Sequence, residues 1–175
     1  MQVLYIKNPK IIENFLRFYL NTLSNKCSNM VGRINHTTVP KRRAHTMSTP
    51  NIQDLQNIAE QGHITIIETA LDGNYMGYYD NATRTIIVDN TLNPTQYRCT
   101  LAHELIHAKY EHTGHDPKNE NKTRQETALW LINIIDYIQA EHIYDSNNIL
   151  IGIELNVTQQ VLGDYQNILK ETIHN

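Results

Sequence analysis

Thr100-Leu101-Ala102-His103-Glu104-Leu105-Ile106-His107-Ala108 decides how this chain is read, because two histidines four residues apart share one face of a helix and can grip a single metal ion. In this HExxH pattern the ring nitrogens hold Zn2+, and the glutamate after the first histidine stands where a general base toward an attacking water is needed. Composition alone, with 9 histidines and 10 glutamates in 175 residues, would yield the pattern in roughly 3% of shuffled chains, so the flanking sequence must carry the inference. From Thr95 to Thr113 there is no Gly or Pro, and the apolar Leu101, Leu105 and Ala108 recur at spacings of four and three. A helix of about four to five turns is expected, with Gly114 just past its end. The immediate neighbours of the motif are uncharged, which suits a dry wall behind a metal.

A catalytic zinc keeps three protein ligands and one open position. Beyond the helix, Thr113-Gly114-His115-Asp116-Pro117 reads as a stop followed by a start: Gly ends one helix, Asp116 caps the next and Pro117 fits its first turn. Two helices joined by so short a loop pack as antiparallel neighbours, so Glu120, in the first turn of the second, is placed to reach a metal held by the first. Glu126, six residues on, is the alternative third ligand. Spacing alone leaves both open.

The run from Cys99 through HELIH to Glu120 resembles the ImmA/IrrE family of zinc metallo-endopeptidases, especially its small phage and mobile-element members. Gly77-Tyr78-Tyr79 followed by Arg84-Thr85-Ile86-Ile87-Val88-Asp89 is similar to the family's hairpin, and Leu131-Ile132, Asp136-Tyr137 and Glu141 to its downstream pattern, so the resemblance covers about residues 48 to 165. It departs at Thr123-Arg124-Gln125, where the family writes Ala and an aromatic. The alignment implies Glu120 as third zinc ligand and Glu104 as catalytic base. It further implies a cytoplasmic endopeptidase that cleaves a regulatory protein, a helix-turn-helix repressor of a phage or mobile element. An oxyanion donor is needed as well, and Tyr78, Tyr79 and Tyr110 are the candidates. His115 is a candidate substrate contact.

Charge is unevenly placed. Residues 1–46 carry 8 Lys/Arg against 1 Asp/Glu, whereas residues 47–175 carry 7 against 17. The acidic sign of the latter disfavours a nonspecific grip on nucleic acid. The basic head, ending Lys41-Arg42-Arg43, is expected to be a loosely attached tail or to precede a native start at Met47, with an arm for DNA or an acidic partner as the alternative. Cys27 and Cys99 do not make a disulfide framework, and a reducing cytoplasm fits them. Ile11 to Leu20 is broken by charges and no apolar run reaches the roughly 18 residues of a membrane span.

Residues 47–175 are expected to form one α+β, zincin-like domain: a small antiparallel-type sheet packed on the HExxH helix, with further helices. A capped helix runs from Thr49-Pro50 to Gly62, a strand from His63 to Glu68, and a hairpin joins Gly77–Tyr79 to Thr85–Asp89. Trp130, Leu131, Ile134, Ile135 and Ile138 are read as the core face of the second helix. Gly152 to Tyr165 imitates half of a helix-turn-helix, yet it offers bases only Gln159 and Gln160, so a structural helical pair is expected. His112, His142 and His174 are read as exposed or loosely paired. One Zn2+ per chain and a protein substrate follow; oligomeric state does not. The competing function is a zinc-containing regulator that binds a repressor or senses a signal without turnover, and a DNA-binding protein is a third reading.

Overall fold

The structure, a computed structural model, describes residues 49–114 and 116–174. The head 1–46 and His115 lie outside the described residues. The described residues up to Leu169 group as one compact unit, and those of the last helix from Lys170 belong to another.

The elements are α1 (Ile52–Gln61), β1 (Thr65–Thr69), β2 (Gly77–Asp80), β3 (Thr85–Asp89), α2 (Pro94–Lys109), α3 (Pro117–Leu131), α4 (Ile134–Tyr144), α5 (Asn148–Glu154) and α6 (Gln159–His174). Capping boxes start the first two helices. Asn51 and Asp54 exchange bonds of 3.0 and 2.9 Å ahead of α1, as Asn93 and Gln96 do at 3.0 and 3.1 Å ahead of α2, where Pro94 needs no N–H partner. Each cap lies one or two residues away from the Thr49-Pro50 and Thr95 starts expected from sequence.

The sheet is mixed, in the order β1-β3-β2. β2 and β3 form the expected antiparallel hairpin, pairing Tyr78 with Ile87, while β1 runs parallel to β3, pairing Thr65 with Thr85. β3 is therefore central and carries the buried Ile86 and Val88, and β2 is an edge. The sheet packs on α2, which α1 and α3 also cover. α2 is consequently buried on nearly all sides, through Cys99, Leu101, Ala102, Leu105, Ile106 and Ala108. Full burial of a side chain such as Leu101 contributes about 1.5–3 kcal/mol. Arg98 is also buried: its guanidinium donates to the carbonyls of Pro50 (2.8 Å), Asn156 (2.7 Å) and Leu131 (3.5 Å), tying three segments to α2.

Gly77 is where the hairpin meets α2. A Cβ there would sit 2.7 Å from Thr100 Cγ2 and 2.9 Å from the Ile87 carbonyl oxygen, which is backbone and cannot swing aside. Gly77→Ala is expected to cost about 1–3 kcal/mol of stability by prising β2 off α2, measured as a lower denaturation midpoint with an unchanged slope.

The apolar stretch after Glu126 is two helices rather than one. Ile132 leaves α3 in extended backbone and Asn133 caps α4, its side chain accepting from Ile135 N–H at 2.8 Å. The break turns Ile135 outward, 49% exposed, so it is not core, whereas Leu131 is buried. Glu141 on α4 has a buried Oε2 without a hydrogen-bond partner among the described residues, and burial pushes its carboxyl above the ordinary range. A carboxyl whose folded pKa is raised binds more protons folded than unfolded. Wild-type stability should therefore fall as pH rises from about 4.5 through the raised value. Glu141→Gln is expected to remove that fall, leaving the protein more stable at pH 7 and little changed below pH 4; unfolding curves across this window check it.

At the C-terminal end Ile151 of α5, Val157 in the connection, and Val161, Leu162 and Tyr165 of α6 are buried, and Gln159 is tied to the Asn148 carbonyl at 2.9 Å rather than free to read a base. No helix among the described residues is long and apolar enough to cross a membrane.

Candidate metal centre

His103 and His107 sit one turn apart on α2, and their Nε2 atoms approach to 3.0 Å. Asp116 caps α3 through Lys118 N–H at 3.1 Å, with Pro117 in its first turn, so Glu120 faces the two rings. Its oxygens lie 3.4 Å from His103 Nε2 and 3.3 Å from His107 Nε2. Two imidazole nitrogens and a carboxylate are a donor set that zinc accepts, and ligand bonds near 2.1 Å in a tetrahedron put donors roughly 3.4 Å apart. The two carboxylate–imidazole separations match that edge, and the three donors lie within 4.8 Å of one another. The residues fit the ion.

The charges respond to this proximity. Hydrogen bonds from His103, then His107, hold the Glu120 carboxyl well below the usual range. Burial opposes a charge on His103, but the Glu120 bond and the charges of Glu104 and Glu120 together raise its pKa. Glu104 is only 7% exposed, and burial lifts its pKa against the pull of both histidines and a bond from Tyr79 N–H. The helix thus turns two donors toward Glu120 and one protonatable carboxylate toward β2.

A cleft of about 980 Å³ opens over these residues, lined among others by Tyr78, Tyr79, Glu104, Glu120 and Arg124. Residues 59–143, which span the sheet, α2, α3 and nearly all of α4, match the Peptidase_M78 family, the IrrE N-terminal-like domain. That segment is an IrrE N-terminal-like peptidase domain. No curated protein matches the chain. The family indicates a metallopeptidase-type hydrolase, and His103, Glu104, His107 and the facing Glu120 all fall inside the matched segment.

The other candidates are placed differently. Glu126 accepts from the Tyr110 hydroxyl at 2.7 Å and pairs with Lys109 at 3.2 Å. Those bonds outweigh burial and lower its pKa. Tyr110 is thereby directed to Glu126 and does not line the cleft. Tyr79 and Tyr78 do line it, the former with its hydroxyl on Asn81 at 3.1 Å, the latter 43% exposed.

Two residues of the IrrE N-terminal-like domain went unnoticed in the sequence. His112, read as exposed or loosely paired, is half-buried with Nδ1 2.9 Å from His107 Nδ1. Arg124 enters the cleft one turn after Glu120, its guanidinium clamped by both carboxylate oxygens of Asp164 at 3.0 and 2.5 Å. Its sole sequence signal was the departure from the family pattern at Thr123-Arg124.

Proposed function

We propose that this protein is a zinc-dependent endopeptidase acting on a regulatory protein, with His103, His107 and Glu120 as ligands and Glu104 as the catalytic base. The observation that carries the reading is the convergence of three zinc-competent donors within 4.8 Å beside a buried glutamate. Held by these three side chains, Zn2+ would supply Lewis-acid chemistry toward the scissile carbonyl and the attacking water. Glu104 takes the proton of the attacking water and returns it to the leaving amide nitrogen. Its raised pKa suits both steps, since a base nearer neutrality also gives its proton back.

β2 supports a way of holding the peptide. In an antiparallel ladder, hydrogen-bonded and non-bonded pairs alternate. Asp89 N–H donates to the Met76 carbonyl at 2.9 Å, so Tyr78 also bonds inward to β3 while the backbone groups of Gly77 and Tyr79 face the outer edge. Tyr79 N–H is engaged with Glu104. An extended substrate would pair along this edge beside the base, within a cleft where Tyr78 or Tyr79 can meet the oxyanion. Asp72, Asp116, Glu120 and Asp164 line the same cleft with Arg124 as the cation, and residues 47–175 carry an excess of ten acidic charges. A basic protein substrate is favoured by that field, which supports a DNA-binding repressor of a phage or mobile element. The test joins metal analysis with cleavage of basic repressor proteins by wild type and Glu104→Gln: cleavage by the former alone supports the enzyme, and a repressor bound equally by both and cut by neither supports the regulator.

A further inference from the structure

His107 uses both ring nitrogens. Its Nε2 faces His103 and Glu120, and its Nδ1 lies 2.9 Å from Nδ1 of His112, a separation that accommodates one proton between the two atoms. A histidine that binds metal through Nε2 keeps its proton on Nδ1. His107 is then the donor of this bond and His112 Nδ1 the acceptor, which leaves the proton of His112 on Nε2. The geometry points to His112 as a positioning residue of the metal centre, a neutral imidazole that fixes the tautomer and the ring orientation of His107. This rests on the ligand set proposed above and extends it to a group outside the three metal donors.

The chain goes to some length to hold His112 in place. α2 ends at Tyr110, Glu111 adopts the left-handed conformation at φ 53, and the backbone doubles back so that His112 N–H donates to the His107 carbonyl at 3.0 Å while Glu111 N–H donates to Ala108 at 3.2 Å. This is a Schellman closure with glutamate where glycine is usual. One residue, His107, therefore anchors both the backbone and the ring of His112. The ring is stacked on Tyr110, with centroids 5.6 Å apart and planes at 19°, and the Tyr110 hydroxyl is fixed by Glu126. Thr123, wholly buried on α3, brings its hydroxyl to 3.5 Å from the same Nδ1. Partners of this position are most often carboxylates or carbonyls. An imidazole acceptor orients His107 without adding a negative charge to a centre that already has Glu104 and Glu120.

The test measures zinc affinity of the full chain by competition with a chromophoric chelator, alongside the unfolding curve of the metal-free protein. His112→Phe keeps a ring against Tyr110 and deletes the acceptor; it should weaken zinc binding about 10–100-fold. His112→Asn, whose amide oxygen falls near the Nδ1 position, should recover most of the loss. Phe binding as wild type does, or Asn as weak as Phe, overturns the proposal. Should the Phe variant not fold, 15N NMR of zinc-loaded wild type decides: the proposal requires protons on Nδ1 of His107 and Nε2 of His112, and a proton on Nδ1 of His112 overturns it. Wild type that takes up no zinc overturns the ligand set itself, a result distinct from normal zinc binding that ignores His112.

Discussion

Glu104→Gln is expected to bind zinc as wild type does and to hydrolyse its substrate about 10²–10⁴-fold more slowly, with the loss in kcat rather than KM. The amide occupies the same volume and satisfies the same neighbours, so the packing of α2 against β2 survives. Gln cannot accept the water proton, which removes a contribution made only in the transition state. The buried position sharpens the expectation. At 7% exposure Glu104 admits little bulk water that could replace it as base. Replacing a buried carboxylate by a neutral amide should also leave the metal-free fold as stable or more so, because burial already disfavours the charged form. Single-turnover cleavage and zinc content on the same preparation separate the outcomes. Undiminished turnover would remove Glu104 from the mechanism, and lost zinc would make its role one of support for the ligands.

Why some of this could be read from residues and some not follows from the range of each interaction. The histidine pair and the hairpin are local features: i and i+4 share a helix face, and the apolar run Ile86-Ile87-Val88 follows directly on the turn at Asp80-Asn81-Ala82-Thr83. The start of α3 was legible because Asp116-Pro117 is local chemistry. The end of α2 was not, since it falls at Tyr110, four residues before Gly114, with the left-handed turn taken by Glu111. A glutamate in that conformation leaves no compositional mark, and so the approach of His112 to His107 was hidden too. Likewise Ile132-Asn133 separates two apolar runs that read as one helix, because an Asn cap between isoleucines looks like any polar residue on a helical face. The place of Arg98 carried no mark in the sequence: three backbone carbonyls from distant segments surround it, and no spacing rule anticipates that. The parallel pairing of β1 with β3 is equally non-local. Both carboxylates at 120 and 126 were compatible with the spacing, and the packing of α3 on α2 brings Glu120 to the two histidines and Glu126 to Tyr110 and Lys109.

That packing leads to the second large effect. Zinc titrated into metal-free protein is expected to load one ion per chain in wild type and in Glu126→Ala, and almost none in His107→Ala or Glu120→Ala. The carboxylate of Glu120 lies 3.3–3.4 Å from both ring nitrogens, whereas that of Glu126 is taken by Tyr110 and Lys109. Losing Glu126 breaks a partly exposed ion pair, worth at most about 1 kcal/mol. Losing Glu120 removes the one anionic donor, and the two neutral imidazoles that remain bind zinc too weakly to survive desalting. The same experiment can be read through stability, because a metal that binds only the folded chain adds about 4 kcal/mol when free zinc exceeds Kd 1,000-fold. Melting curves should therefore rise on adding zinc for wild type and Glu126→Ala and stay put for the other two. Metal-free His107→Ala and Glu120→Ala must melt cooperatively for the comparison to count, and α2 is held by Leu101, Leu105 and Arg98 independently of either side chain. Zinc retained by Glu120→Ala but lost by Glu126→Ala would reverse the assignment and require α3 to turn, exchanging the carboxylate that faces His103 and His107.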